Sequence, residues 1–295
     1  MEVDLMMVTK QENMDFNNSS THKRVDVSVI VYVIAFLWAF IILYPLFVTL
    51  MCSFKTNNEI FGKMFSLPTQ WVWQNYVDAL VDAKMGRALF NSLYIAALST
   101  LITIVLGSMA SYVLARQKYK FITPIYLLFI VGVMLPVHAT IIPINRIATY
   151  IGGSNSHWFL ILVYTAFQLP QAVFLITGFM KSISHELDEA ATIDGCSMIG
   201  VLFRIIIPVS MPIISTAAIL AFIFAYGELI FSVILLSDIS KFTVPRALFY
   251  FTGLHTVRMG PVFASIVVGA LPMVIIYTFL NQRIQAGMVA GAIKG

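Results

Sequence analysis

Six long apolar runs, separated by polar segments of very unequal length, set the pattern of this chain. They cover residues 27–51, 88–115, 122–143, 158–180, 212–236 and 262–281. Each reaches the roughly 20 residues that a helix rising ~1.5 Å per residue needs to cross a hydrocarbon core. None alternates apolar and polar positions as a half-buried strand would. The first run follows a polar stretch, 1–26, that contains Asn17-Asn18-Ser19-Ser20 and Lys23-Arg24. It is too long for a signal-peptide core, so an uncleaved first span is expected. Gly107, Pro136, Gly178 and Pro272 fall inside runs, where neighbouring helices can satisfy the backbone groups they free. The pattern predicts an all-α, six-span integral membrane protein with a polar tail at each end, the second covering 282–295.

Composition agrees. Of 295 residues, 59% are hydrophobic and 11% charged, against about 25% charged in soluble domains. Lipid can solvate that much apolar surface; water cannot. The net charge of +4 does not indicate nucleic acid, because no Lys/Arg-rich run accompanies it. It reads as topology. Lys23-Arg24, the trio Arg116, Lys118 and Lys120, then Lys181 and Arg283 all fall on one side if both termini are cytoplasmic. The long loop 58–88 on the other side carries further basic residues, but long loops bear little on orientation. Its Trp71, Trp73 and Tyr76 suit an interfacial aromatic belt, with a docking surface as the other reading. The two cysteines, Cys52 and Cys196, fall on opposite sides of the membrane and do not form a disulfide framework.

One segment is unlike a connector. Residues 181–211, on the cytoplasmic side, form a stretch several times longer than most loops. Ser184 is placed to cap a helix whose early turns hold Glu186, Asp188 and Glu189, where negative charge suits the helix dipole. Leu187, Ala190, Ala191 and Asp194 share a helical face at i, i+3, i+4, i+7. Two alanines make that face shallow, so another surface can approach closely. Gly195 ends the helix, Ser197 is placed to cap a second one, and Pro208 and Pro212 lead into the fifth span. A helix lying flat on the membrane is the simpler structural reading. Such helices are usually basic, whereas this one is acidic where it would meet an anionic leaflet. A short helix projecting into a partner's groove fits better.

Glu189-Ala190-Ala191, three residues, Gly195, and a downstream Ile-x-x-Pro ending at Pro208 resemble the coupling-loop signature of bacterial ATP-binding-cassette importer permeases. The wider run 186–195 is similar to the carbohydrate-uptake branch, on the side of the maltose-type second permease. So are Asn91-Ser92 at the start of span two and the tail, Gln282-Arg283 with Gly-Met-Val-Ala-Gly-Ala-Ile-Lys-Gly at 287–295. The departures are Ser184 in place of Pro, Cys196 in place of Ala, Ile207 in place of Leu, and Tyr226-Gly227-Glu228-Leu229 where the branch often has Trp-Asn-Glu-Phe.

The resemblance implies the type I ABC importer fold in a bacterial inner membrane, with a cytoplasmic helix-turn-helix coupling loop. It implies a second, related permease subunit, two ATP-binding subunits that hold ATP and Mg, and an extracytoplasmic sugar-binding protein. ATPase coupling would fall to Ser184, Leu187, Glu189, Ala190, Ala191, Asp194, Gly195 and Pro208. The tail residues Arg283, Gly287, Gly291 and Lys294 would frame the ATPase contact, a disordered terminus being the simpler reading from composition. Candidates for the sugar pathway are Asn91, Gln168, Phe222, Tyr226 and Glu228. An intramembrane acid such as Glu228 is expensive and usually functional, while aromatics in a span more often pack than bind.

The chain carries no P-loop, HExxH or GxSxG motif and no Cys/His cluster with metal-ligand spacing. It is therefore expected not to be an enzyme and to hold no cofactor itself. The competing class is an ion- or proton-coupled secondary transporter. That reading leaves the acidic loop unexplained and has little besides Glu228 from which to build a relay.

Overall fold

A computed structural model describes residues 29–252 and 257–292, with 279–292 described as backbone alone. The tail 1–26 and Lys294 lie outside the described residues. Among those described, four helices are long and apolar enough to cross a membrane: α1 (Val29–Cys52), α4 (Met85–Arg116), α7 (His157–Met180) and the first part of α14, Met259–Thr278. Two bent pairs bring the total to six if each is one span. Short helices α2 (Asn57–Gly62) and α3 (Gln74–Val81) lie between α1 and α4.

The first bent pair is α5 (Ile122–Met134) and the segment Val137–Tyr150, which ends in α6 (Ile141–Tyr150), at 94° to each other. A single helix over 122–143 is expected from the sequence; the chain instead breaks at Leu135-Pro136. Both residues are extended, with ψ of 128° and 111°. Proline drives the residue before it out of the helical region and lacks the N–H that would continue the ladder.

Beyond α7, α8 (Glu186–Ile193) and α9 (Met198–Val201) form the helix-turn-helix expected of the 181–211 segment. α9 runs on through a π-helical turn, Leu202–Ile206, into α10 (Ile207–Val209). The chain then bends by 80° into α11 (Met211–Gly227). The fifth apolar run is not one helix either. α11 stops at Gly227, and α12 (Ile230–Leu235) starts after Glu228 and Leu229. α13 (Val244–Ala247) precedes α14 (Met259–Ala292). α14 runs without a break past the end of the sixth apolar run, so the backbone of 282–292 is helical where a tail is expected.

α4, α7 and α11 make the heart of the bundle. Small and hydroxyl residues let them approach closely, as suits helices that gain nothing from expelling lipid. A Cβ on Gly107 would sit 3.3 Å from that of Ala172. Thr165 Oγ1 donates to the Ser99 carbonyl at 3.4 Å and Ser111 Oγ to that of Val173 at 3.3 Å. α1 differs. Its side chains are exposed from Val29 to Phe47 and become half-buried only from Val48.

The loops at the end opposite α8 are tied by buried polar groups. Lys55 is fully buried, and its ammonium donates to the carbonyls of Lys63, Met64 and Ser66 at 2.5–3.0 Å. Phe54 sits among Trp71, Trp73 and Tyr76 with ring centroids 4.8–5.1 Å away. These three aromatics pack around Phe54, with Trp71 and Trp73 still exposed at 55% and 65%. Arg258 contacts Asp78 and lies 3.5 Å from Asp82, joining the loop before α14 to α3.

Candidate functional site

The acidic turn of α8 is built as its sequence demands. Ser184 Oγ accepts the Glu186 N–H at 3.2 Å, satisfying one of the donors orphaned at a helix start. Glu186, Asp188 and Glu189 fill the first turn. At the other end Gly195 adopts φ +84°. Its N–H bonds the Thr192 carbonyl at 3.0 Å, and the Cys196 N–H reaches back to the Ala191 carbonyl at 2.9 Å. That pair of bonds is a Schellman ending, which needs the left-handed conformation at the glycine. Ser197 Oγ accepts the Gly200 N–H at 3.2 Å and starts α9. An open hollow of about 570 Å³ lies over this turn, lined by Asp194, Gly195, Ser197, Gly200, Phe203 and Arg204. Pro208 is exposed just before the bend at Ser210.

The face α8 presents is not the one its alanine pattern suggests. Ala191 is 5% exposed and packs inward in an apolar cluster with Tyr112, Ile176, Met180, Val201 and Leu202. Glu186, Glu189, Ala190, Ile193 and Asp194 are exposed, and Leu187 is partly so. The grouping of Leu187, Ala190, Ala191 and Asp194 on one contact face is thus corrected: Ala191 belongs to the permease core.

The reason is a charge. Asp188 lies 2.8 Å from the Arg116 guanidinium, and Tyr112 donates its hydroxyl to the same carboxylate at 3.1 Å. Burying this contact turns Asp188 and Ala191 inward and leaves Glu186, Glu189, Ala190 and Ile193 outward. Ile193, at 87% exposure, escaped the sequence reading. Its position opposite the inward residues was the available signal. Tyr112 was also missed, Asp188 counted only toward the helix dipole, and Arg116 only toward orientation.

Of the five candidate pathway residues, Asn91, Gln168 and Tyr226 are buried and Phe222 and Glu228 half-buried. Asn91 is buried and donates to the carbonyls of Ser240 and Phe242 at 3.1 and 2.9 Å; Ser92 accepts the Val244 N–H at 2.8 Å. The Asn-Ser pair therefore fixes the 240–244 segment to α4. Tyr226 is buried, bonds the Gly269 carbonyl at 2.7 Å and stacks on Phe222. Gln168 is buried on α7. Glu228 is half-buried at the break after α11. Its carboxylate takes the Tyr164 hydroxyl at 2.9 Å and the N–H groups of Ile230 and Phe231 at 2.7–3.1 Å. Those donors offset the cost of an acid at that depth and start α12, which explains why the fifth run breaks where it does.

Two loop carboxyls at the opposite end have altered acidity. The Thr69 hydroxyl, then the Thr69 and Thr56 amides, hold Glu59 below its ordinary value. The Ser240 N–H does the same for Asp238. Arg283, Gly287 and Gly291 lie on the helical backbone of α14, their side chains outside the described set. Among the described residues no group of His, Cys, Asp and Glu is arranged to hold a metal.

A model of the family described as binding-protein-dependent transport system inner membrane component matches residues 103–288. The chain belongs to that family. It is 33% identical over 265 residues to the probable ABC transporter permease protein YurM of Bacillus subtilis (strain 168), covering 90% of this chain and 88% of that one. It is 31% identical over 260 residues to the diacetylchitobiose uptake system permease protein NgcG of Streptomyces coelicolor, covering 88% and 86%. In fold it resembles a chain of a bacterial ABC transporter involved in alginate import, with a TM-score of 0.73 at 18% identity over 86% of this chain and 95% of that one. Membership makes the chain an integral membrane component of a binding-protein-dependent transport system. It sets aside the secondary-transporter reading. The matched region contains the whole of α8, the glycine turn and α9.

Proposed function

We propose that this chain is one of two permease subunits of an ATP-driven importer for a sugar or oligosaccharide, and that residues 184–200 seat in a groove of a separate ATPase subunit. The observation that carries the docking reading is the outward ridge of Glu186, Glu189, Ala190 and Ile193 on a short helix closed by the Gly195 turn. A large apolar side chain at 87% exposure, flanked by acids, suits an apolar notch with a cationic rim. The sugar class is supported by the similarity to a diacetylchitobiose uptake permease and by the 186–195 run.

In this reading both termini are cytoplasmic, as the basic clusters favour, and α8 faces the cytoplasm. The ATP-binding subunits hold ATP and Mg. Their closure moves α8, and the spans respond by switching which side of the membrane the pathway opens to, a two-state element biased by a ligand. A second permease completes the pathway. An extracytoplasmic sugar-binding protein delivers the load to the end bearing α2, α3 and the 237–252 segment. The lower ends of α4 and α7 and the α9–α11 bend connect α8 to the rest of the bundle.

The test is ATP turnover by the reconstituted complex with its binding protein, measured across a panel of mono- and oligosaccharides, amino acids and peptides. Stimulation by a sugar is expected. Stimulation by amino acids or peptides alone overturns the substrate class and leaves the coupling reading in place.

A further inference from the structure

Arg116 is the last residue of α4, yet its side chain is only 4% exposed. A cation at the end of a membrane helix ordinarily reaches for headgroups and water. This one turns into the protein. It donates to the carbonyls of Met180 and Ile183 at 3.2 and 2.9 Å. The first is the last carbonyl of α7, which also takes the Ile183 N–H at 3.3 Å, and the second lies in the linker beyond it. A cation there also suits the negative end of the dipole. The other arm of the guanidinium rests 2.8 Å from Asp188 in the first turn of α8, whose carboxylate also takes the Tyr112 hydroxyl. One planar side chain thus joins α4, the end of α7 and α8. Lysine, a point charge on a flexible stem, has no equivalent fork.

The mechanical consequence follows from chain connectivity. Residues 181–185 link α7 to α8. Left to itself such a linker would flex and absorb a displacement of α8. Arg116 holds the carbonyl just before the linker and one in its middle while lying against Asp188 of α8, so a shift of α8 draws on α4. We infer that Arg116, through Asp188 and Tyr112, is a positioning residue that makes α8 one rigid body with the ends of α4 and α7, so that α4 follows the ATPase stroke. This rests on the docking of α8 proposed above. Arg116 itself does not touch the ATPase in this account, because it is buried behind α8.

The experiment uses the whole complex in lipid, comparing wild type with Arg116→Met, Arg116→Lys and Asp188→Asn. Three quantities are read: ATPase subunits retained per permease, ATP hydrolysed, and substrate taken up per ATP. With Arg116→Met, retention of the ATPase is expected to stay near wild type. Uptake per ATP should fall about tenfold, inside the roughly 5–150-fold span of ordinary coupling free energies. Arg116→Lys should fall between the two. If Arg116→Met does not accumulate, Asp188→Asn, which keeps the size of the side chain, takes the same measurement with the same expectation. Unchanged uptake per ATP overturns the inference. So does a loss of yield, hydrolysis and uptake in equal proportion with no recovery by lysine, which marks a merely structural role. Wild type purified without any ATPase overturns the docking reading instead.

Discussion

Replacing Gly195 tests whether α8 must end as it does. The residue sits at φ +84°, and a Cβ built there meets no atom within 4 Å. Space is therefore not the constraint, and the cost of Gly195→Ala is the backbone cost alone, about 1–2 kcal/mol for a left-handed L-residue. Asparagine visits that region with less penalty because its side chain can bond locally, so Gly195→Asn should cost a fraction of that. The Cys196 N–H to Ala191 carbonyl bond closes the turn. Its opening should become about 5–30-fold more frequent in the alanine variant, the factor that 1–2 kcal/mol corresponds to. Hydrogen–deuterium exchange of the 186–201 segment, in the complete complex, reads this opening directly. Faster exchange is expected for alanine and near-wild-type exchange for asparagine. Equal rates in all three would refute the argument that the turn requires a left-handed residue. Equally fast exchange in both variants would place the cost in the side chain, contrary to the open space around it. Gly195→Asp tolerates the backbone almost as well as asparagine but adds a negative charge to the C-terminal end of α8 beside Asp194, where the dipole opposes it. It should therefore loosen the end of α8 and uncouple uptake, and wild-type uptake would count against the lever.

Three further outcomes are expected. Ala191→Leu should lower the thermal stability of the permease, since overpacking a filled cluster costs about 1–3 kcal/mol, whereas Ala190→Leu should leave stability unchanged and weaken only ATPase retention; melting in detergent beside co-purification separates them. Asn91→Ala strands the carbonyls of Ser240 and Phe242 at about 1–3 kcal/mol for a buried group left unsatisfied, and proteolysis of the 237–258 segment should accelerate while the ATPase stays bound. The Glu59 carboxylate, held low by Thr69, supports its loop fully above the ordinary value of 4.5, and that support should fade as pH falls through the lower folded value. Exchange of residues 56–70 should rise over that acidic window in wild type, but not in a Thr69→Val protein, whose loop should already exchange faster at neutral pH.

Much of this was legible along the chain. Helix-length apolar runs are a direct consequence of bilayer thickness, and α8, its Ser184 start and its Gly195 ending follow from local capping rules that need no tertiary knowledge. The two broken runs were only half legible. Pro136 was visible as a residue in a span, but its bend depends on what satisfies the freed backbone, which is tertiary. Glu228 was visible as an acid at depth, but its role in starting α12 depends on the Tyr164 hydroxyl, 64 positions earlier. The orientation of α8 was not legible at all. Periodicity placed Leu187, Ala190, Ala191 and Asp194 together, while the Arg116–Asp188 contact, 72 positions apart (188 − 116), sets the rotation. Asn91 shows the same limit: a polar residue near a span reads equally as a ligand contact or a loop anchor until its partners are known.

The central claim is that an ATPase subunit seats on the ridge of Glu186, Glu189, Ala190 and Ile193. The most direct measurement is co-purification through a tag on this chain, expressed with its genomic neighbours, for wild type, Glu189→Lys and Ile193→Asp. The account predicts that an ATPase subunit and a second permease come with the wild-type chain, and that both substitutions shed the ATPase while the second permease remains. A wild-type chain that purifies alone or as a homo-oligomer, or substitutions that leave the ATPase bound, would contradict it.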